Sequence, residues 1–289
     1  MTTLLLAGLA LVLAGPVPAY VAARHRVRTS PIAAMVLWQA LALAAVLAAL
    51  GAGLSLATWS GIGPHGSLLQ YAVAALALAL TAMVLGRLLL SGHRVGMDLR
   101  ALRRRHRELI DVLSTDHDGM HVVAHETPTA YCVPSLGRSR VVLSQGTLDV
   151  LSPEALEAVL EHERAHLRLR HDLVIEAFTV LHHAFPVVLS SRKALAEVTL
   201  LAEVLADRAA VRRVGRRPLV EAISELVGNT PPRAAMGAGG EVLARLAVLR
   251  DPRKHRLQSV LLLIVAWAVL VLPTVLVALP WLRSLPSVR

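Results

Sequence analysis

Hydrophobic residues in this 289-residue chain fall into blocks rather than being spread along it. Four blocks are long enough to cross a bilayer as helices, which takes about 20 residues each. They run from about Thr2 to Ala22, from Ile32 to about Thr58, from about Leu68 to Leu90, and from Val260 to about Leu282. Pro16 and Pro18, inside the first, are better tolerated in a membrane helix than in a soluble one. A further apolar stretch, Leu173 to Leu189, holds Glu176, His182, His183 and Pro186. It reads as a helix buried in a domain or lying at the membrane surface, not as a span.

The only long hydrophilic region lies between the third and fourth blocks, from about Ser91 to Arg256. Met97 to Leu113 predicts a basic helix. Met120 to His125, Ala130 to Val133 and Ser139 to Leu143 are valine-rich with period-two stretches and predict short strands, with a turn over Pro134 to Arg138. Ser152-Pro153-Glu154 is a helix start, combining a cap residue, proline in the first turn and an acid near the positive helix end. That helix should run to about Arg170. Another is expected from Lys193 to Val214, stopped by Gly215. Asn229 to Gly240, rich in proline and glycine, predicts a loop. The expected fold is mainly α: a four-span membrane protein with an α+β domain between spans 3 and 4. The boundaries are 1–91 for three spans, 92–257 for the domain, and 258–289 for the fourth span and a short tail.

Charge sharpens this picture. All twenty acidic residues lie between Asp98 and Asp251, and both ends of the chain lack them. Membrane segments exclude such charges, because an unpaired charge in hydrocarbon is expensive. The net charge of +10 then reflects arginines kept on the cytoplasmic side, not a nucleic-acid-binding face. Met1-Thr2-Thr3-Leu4 carries no positive charge, whereas Arg24, Arg26 and Arg28 follow the first block. That polarity predicts an uncleaved span with its N-terminus outside and places the hydrophilic domain in the cytoplasm. The C-terminus should then be outside too, at the cell membrane. Cys132 is the sole cysteine and cannot form an internal disulfide.

Candidate chemistry centres on His162-Glu163-Arg164-Ala165-His166, an H-E-x-x-H pattern inside a predicted helix. Four residues apart, both imidazoles project from one helix face and can grip one metal ion, with Glu163 beside them as a candidate base. A catalytic zinc normally takes three protein ligands. A third histidine at the spacing used by metzincins is absent, since positions 169 and 172 are Leu169 and Asp172. Glu203 is the better candidate, with Asp207 one turn later on the same face as a partner for a ligand imidazole. Thr199, Ala206 and Ala210 share that face and are small enough for close helix approach. Glu197 is the weaker substitute. His171 and Arg208 are candidates for contacts to substrate or transition state.

The runs Ala130–Pro134, Val141–Leu148 and Leu160–His166 together resemble the M56 metallopeptidases, relatives of the BlaR1 and MecR1 antibiotic-sensor proteases. The resemblance covers nearly the whole chain. It implies a gluzincin fold, one Zn2+ per chain held by His162, His166 and Glu203, and Glu163 as catalytic base. It also implies regulatory signalling by cleavage of a cytoplasmic protein, such as a winged-helix transcriptional repressor. The sensors' extracellular penicillin-binding domain has no counterpart, because only about Arg283 to Arg289 follow the last span. The M48 family, including HtpX-type quality-control proteases, has a similarly spaced glutamate and aspartate, but HtpX-like proteins place two spans before the site and two after. The alternative readings are therefore an HtpX-like protease and a non-catalytic membrane scaffold. Expected partners are the lipid bilayer and the protein substrate, not nucleic acid. Self-association is left open.

Overall fold

A computed structural model describes all residues except 60–66, 118–119, 136–138, 187–190, 229–231, 252–254 and 285–289. The chain is mostly helical and divides into two compact units. The first comprises residues 1–93, 178–197 and 255–289, and the second comprises 94–177 and 198–254.

The first unit holds the apolar helices. α1 (Thr2–Ala14) and α2 (Pro16–Ala23) are separated only at Gly15, where the two prolines that follow start a new helix. α3 (Pro31–Trp59) packs against α1 and against α11 (Arg256–Ser284). Small residues permit this: Ala44 and Ala48 are fully buried, and a Cβ on Gly51 would meet Val277 at 3.1 Å and Leu6 at 3.6 Å. Without a hydrophobic drive between helices in lipid, such small contact residues are what bring them together. Among the described residues, four helical segments are long and apolar enough to cross a membrane: Thr2–Ala23, Pro31–Thr58, part of Leu68–Leu113, and Arg256–Ala278. Of the expected 173–189 segment, residues up to Ala184 lie in the helix His171–Ala184, which is not among these four, and residues 187–189 lie outside the described set.

α4 (Leu68–Leu113) departs from expectation. The third span and the basic helix after it form one continuous 46-residue helix. The change from leucine to arginine alters what surrounds the helix, but no proline interrupts its backbone hydrogen bonds.

In the second unit four strands form a sheet in the order β1 (Ser114–His117), β2 (Met120–Val123), β4 (Arg140–Ser144), β3 (Ala130–Val133). β1 pairs antiparallel with β2, β2 runs parallel to β4, and β3 pairs antiparallel with β4, with Ala130 opposite Leu143. β1 was not expected, because its sequence Ser-Thr-Asp-His offers no apolar alternation. β4 alternates as a strand should. Val141 and Leu143 join a core with Val159 and Leu160 of α6 (Pro153–Leu169), while Val142 packs with Ile110 of α4. Between β4 and α6, the short helix α5 (Gln145–Val150) is capped by Ser144. Thr147, fully buried, accepts from Thr129 N at 2.7 Å and donates to Thr129 O at 2.9 Å, which fixes the approach to β3.

Ser152 caps α6 as predicted, accepting from Ala155 N. Arg170, in the left-handed conformation with φ 51°, ends it. The chain re-enters a helix at once as α7 (His171–Ala184). α8 (Ser191–Val214) ends at Gly215, whose φ of 91° favours glycine. α9 (Arg216–Gly228) packs on α6. α10 (Pro232–Arg250) occupies much of the expected loop. Its starting proline is favourable at a first helical position, and alanines outweigh the helix-weakening glycines. The predicted loop residues 229–231 and turn residues 136–138 lie outside the described set.

Candidate metal centre

Helix α6 presents His162 and His166 one turn apart, and α8 crosses it closely enough to bring Glu203 to both. Alanine makes the crossing possible: Ala165 packs with Ala206 and Ala209, and Ala158 with Ala210. Of the small residues expected at this contact, Ala206 and Ala210 are fully buried, and Thr199 is half-buried.

The imidazole Nε2 atoms of His162 and His166 lie 3.1 Å apart. Glu203 Oε2 is 3.4 Å from the first and Glu203 Oε1 is 3.2 Å from the second. One ligand atom from each of these three residues lies within 4.8 Å of the others, a spacing that could hold a metal ion. The donor set fits zinc, since two imidazole nitrogens and a carboxylate leave a fourth position open. The outer nitrogens are also occupied. His162 Nδ1 is 2.9 Å from Asp207 Oδ1, and His166 Nδ1 is 3.1 Å from His171 Nδ1.

Arg245 completes the cluster. Its guanidinium donates to both carboxylate oxygens of fully buried Asp207, at 2.8 and 2.6 Å, and lies 3.1 Å from Glu203 Oε2. Nothing in the sequence pattern singled this residue out. It lies on α10, 38 positions beyond Asp207, in a stretch that begins as an expected loop.

These contacts move the acid–base equilibria. Burial alone would lower the pKa of His162, but Asp207 and Glu203 outweigh it and raise the value to about 9. Burial would raise Glu203, yet His162, His166 and Arg245 hold it well below the usual carboxylate range. Asp207 is likewise held down against burial by Arg245 and His162. Burial and the neighbouring His166 push His171 to about 4.

Glu163 lines the same cleft as His162, Glu203 and Arg245, a cavity of about 230 Å³. The rest of its wall is apolar and comes largely from α9, including Leu219, Ala222, Ile223 and Leu226. The thiol of Cys132 on β3 sits against Glu163. Burial first, then this carboxylate, raises its pKa above the ordinary thiol value. The position of Cys132 next to Glu163 follows only from the placement of β3 beside α6.

The remaining sequence candidates lie elsewhere. Glu197 pairs with Arg28, its Oε2 accepting from Arg28 Nε at 3.0 Å, in the unit of apolar helices. Arg208 sits near Arg212 and Asp251 and does not line the cleft. His171 is 3 % exposed, lies against His166 and does not line this cleft.

No curated protein and no solved structure matches the chain. Residues 98–212, which contain His162, Glu163, His166, Glu203 and Asp207, match the model for Peptidase family M48. That match supports a metallopeptidase, and with four apolar helices it supports a multi-pass membrane one. It does not support assignment to M56, which is a different family.

Proposed function

We propose that this chain is a membrane-embedded zinc endopeptidase of the HtpX-like, M48 kind, acting in quality control of membrane proteins. One observation carries the reading: two imidazoles from α6 and one carboxylate from α8 converge, and His162 and Glu203 line a cleft together with Glu163. Zinc would be held by His162, His166 and Glu203, where it supplies Lewis acidity to a carbonyl and acidifies water. Glu163 accepts a proton from the attacking water as its oxygen bonds to the scissile carbon, then delivers it to the amine nitrogen as the C–N bond breaks. Asp207, itself clamped by Arg245, orients His162.

The substrate enters as an extended strand. β4 lies between β2 and β3 and offers it no free edge. β3 does, and it carries Cys132 beside Glu163. Backbone pairing along β3 would bring a peptide bond to the cleft, while the apolar wall from α9 takes a neighbouring side chain.

One observation favours the regulatory reading, in which a cytoplasmic repressor is cut: three apolar helical segments precede the site and one follows it. Purified protein incubated with unfolded membrane proteins and with a winged-helix repressor separates the two. Cleavage of many unfolded chains supports quality control, and a single cut in the repressor supports regulation. Under either reading Glu163→Gln should keep its zinc and lose at least about 100-fold in rate. Full activity in that variant would overturn the assigned base.

A further inference from the structure

We infer that His171 is a positioning residue that accepts the Nδ1 proton of His166 and so presents His166 Nε2 to the metal. The inference rests on the zinc site proposed above. An imidazole binds a metal through an unprotonated nitrogen, so its other nitrogen carries the proton and needs an acceptor, most often a carboxylate or a carbonyl. For His162 that acceptor is Asp207, 2.9 Å from Nδ1. For His166, no carboxylate among the described residues plays this part. The atom facing its Nδ1 is His171 Nδ1, at 3.1 Å, with the two rings edge to face and their centroids 4.8 Å apart.

The acid next in the chain is turned away. The carboxylate of Asp172 lies 3.6 Å from Arg103 and 3.4 Å from Arg170. Those contacts anchor the start of α7 on α4 and on the end of α6. The left-handed turn at Arg170 lets α7 begin one residue later, which folds position 171 back against His166.

His171 is otherwise poorly explained as a filler. It is 3 % exposed, and its Nε2 is buried with no hydrogen-bond partner among the described residues. An apolar residue of similar size would avoid that loss. With the proton on Nε2, the lone pair on Nδ1 is free to accept, and the two histidine ligands then have different acceptors, one anionic and one neutral.

The test uses the full chain in detergent and compares zinc dissociation constants, measured by chelator competition, for wild type, His171→Asn, His171→Gln and His171→Ala. Asparagine places its carbonyl oxygen near the position of Nδ1, whereas glutamine reaches the position of Nε2. The alanine and glutamine variants should bind zinc about 10- to 100-fold more weakly, and the asparagine variant should stay within about threefold of wild type. Equal losses in the asparagine and glutamine variants, or none in any variant, would overturn the assignment. So would a loss of affinity that tracks a lowered melting temperature of the zinc-free protein. A wild-type chain that binds no zinc overturns the site itself and this role with it, whereas tight wild-type binding with unaffected variants removes only the role of His171.

Discussion

Asp207 couples a candidate metal ligand on α6 to the arginine on α10. It is fully buried, and it serves both His162 and Arg245. Replacing it by alanine removes the partner of a buried arginine, which should cost about 3–5 kcal/mol in unfolding experiments. Asparagine keeps the shape but not the charge, and should weaken zinc binding about 10- to 100-fold in chelator titrations. pH acts on the same group of residues. In the zinc-free protein the pKa of His162 is raised from 6.5 to about 9, so its stabilising effect is complete below pH 6.5 and lost as pH rises through about 9. His171, lowered from 6.5 to about 4, works the other way: its effect is present above pH 6.5 and lost as pH falls toward 4. Zinc must displace the proton on His162, so its affinity should rise with pH over the window in which that residue's contribution to zinc-free stability is lost. Melting of chelator-treated protein between about pH 4 and 9 checks both histidines, and zinc titrations between about pH 6.5 and 9 check the affinity. An affinity that is flat or falls over that range would contradict the account.

Elements fix where these side chains meet. Ala165 and Ala206 let α6 and α8 approach. Ala206→Leu should therefore overpack the contact by about 1–3 kcal/mol and pull Glu203 from the histidines, lowering both melting temperature and zinc affinity. Gly146 bears on the sheet side. A Cβ there would lie 1.8 Å from the carbonyl oxygen of Glu126, so Gly146→Ala should lower the melting temperature and shift the segment that leads into β3. The half of the site on α6 and α8 was legible because helices write it locally. A cap at Ser152, histidines four apart, and an acid pair at 203 and 207 each need only neighbours in sequence. Arg245 was not legible, because its meaning depends on a contact spanning 38 residues. β1 and the edge position of β3 escaped for a similar reason: pairing order is a long-range property that alternation does not encode. The glycines at 237, 239 and 240 misdirected the reading of α10, whose alanines favour a helix.

For the whole molecule, the segregation of charge is the strongest constraint. Acid-free ends and four apolar helical segments suit a multi-pass membrane protein. We propose that the site-bearing unit faces the cytoplasm, from the arginines at 24, 26 and 28 and those between 94 and 107. A reporter fused after residue 289 should then score outside, and one inserted between residues 30 and 31 should score inside. The reverse pattern would contradict the orientation without touching the chemistry of the site.

Zinc content tests the central claim most directly, because that claim is one ion shared between two helices. Wild-type protein, purified without chelator, should carry about one zinc per chain, and Glu203→Ala, which leaves both histidines intact, should lose it. A Glu203→Ala variant that kept full occupancy and wild-type affinity would show that α8 does not close the site.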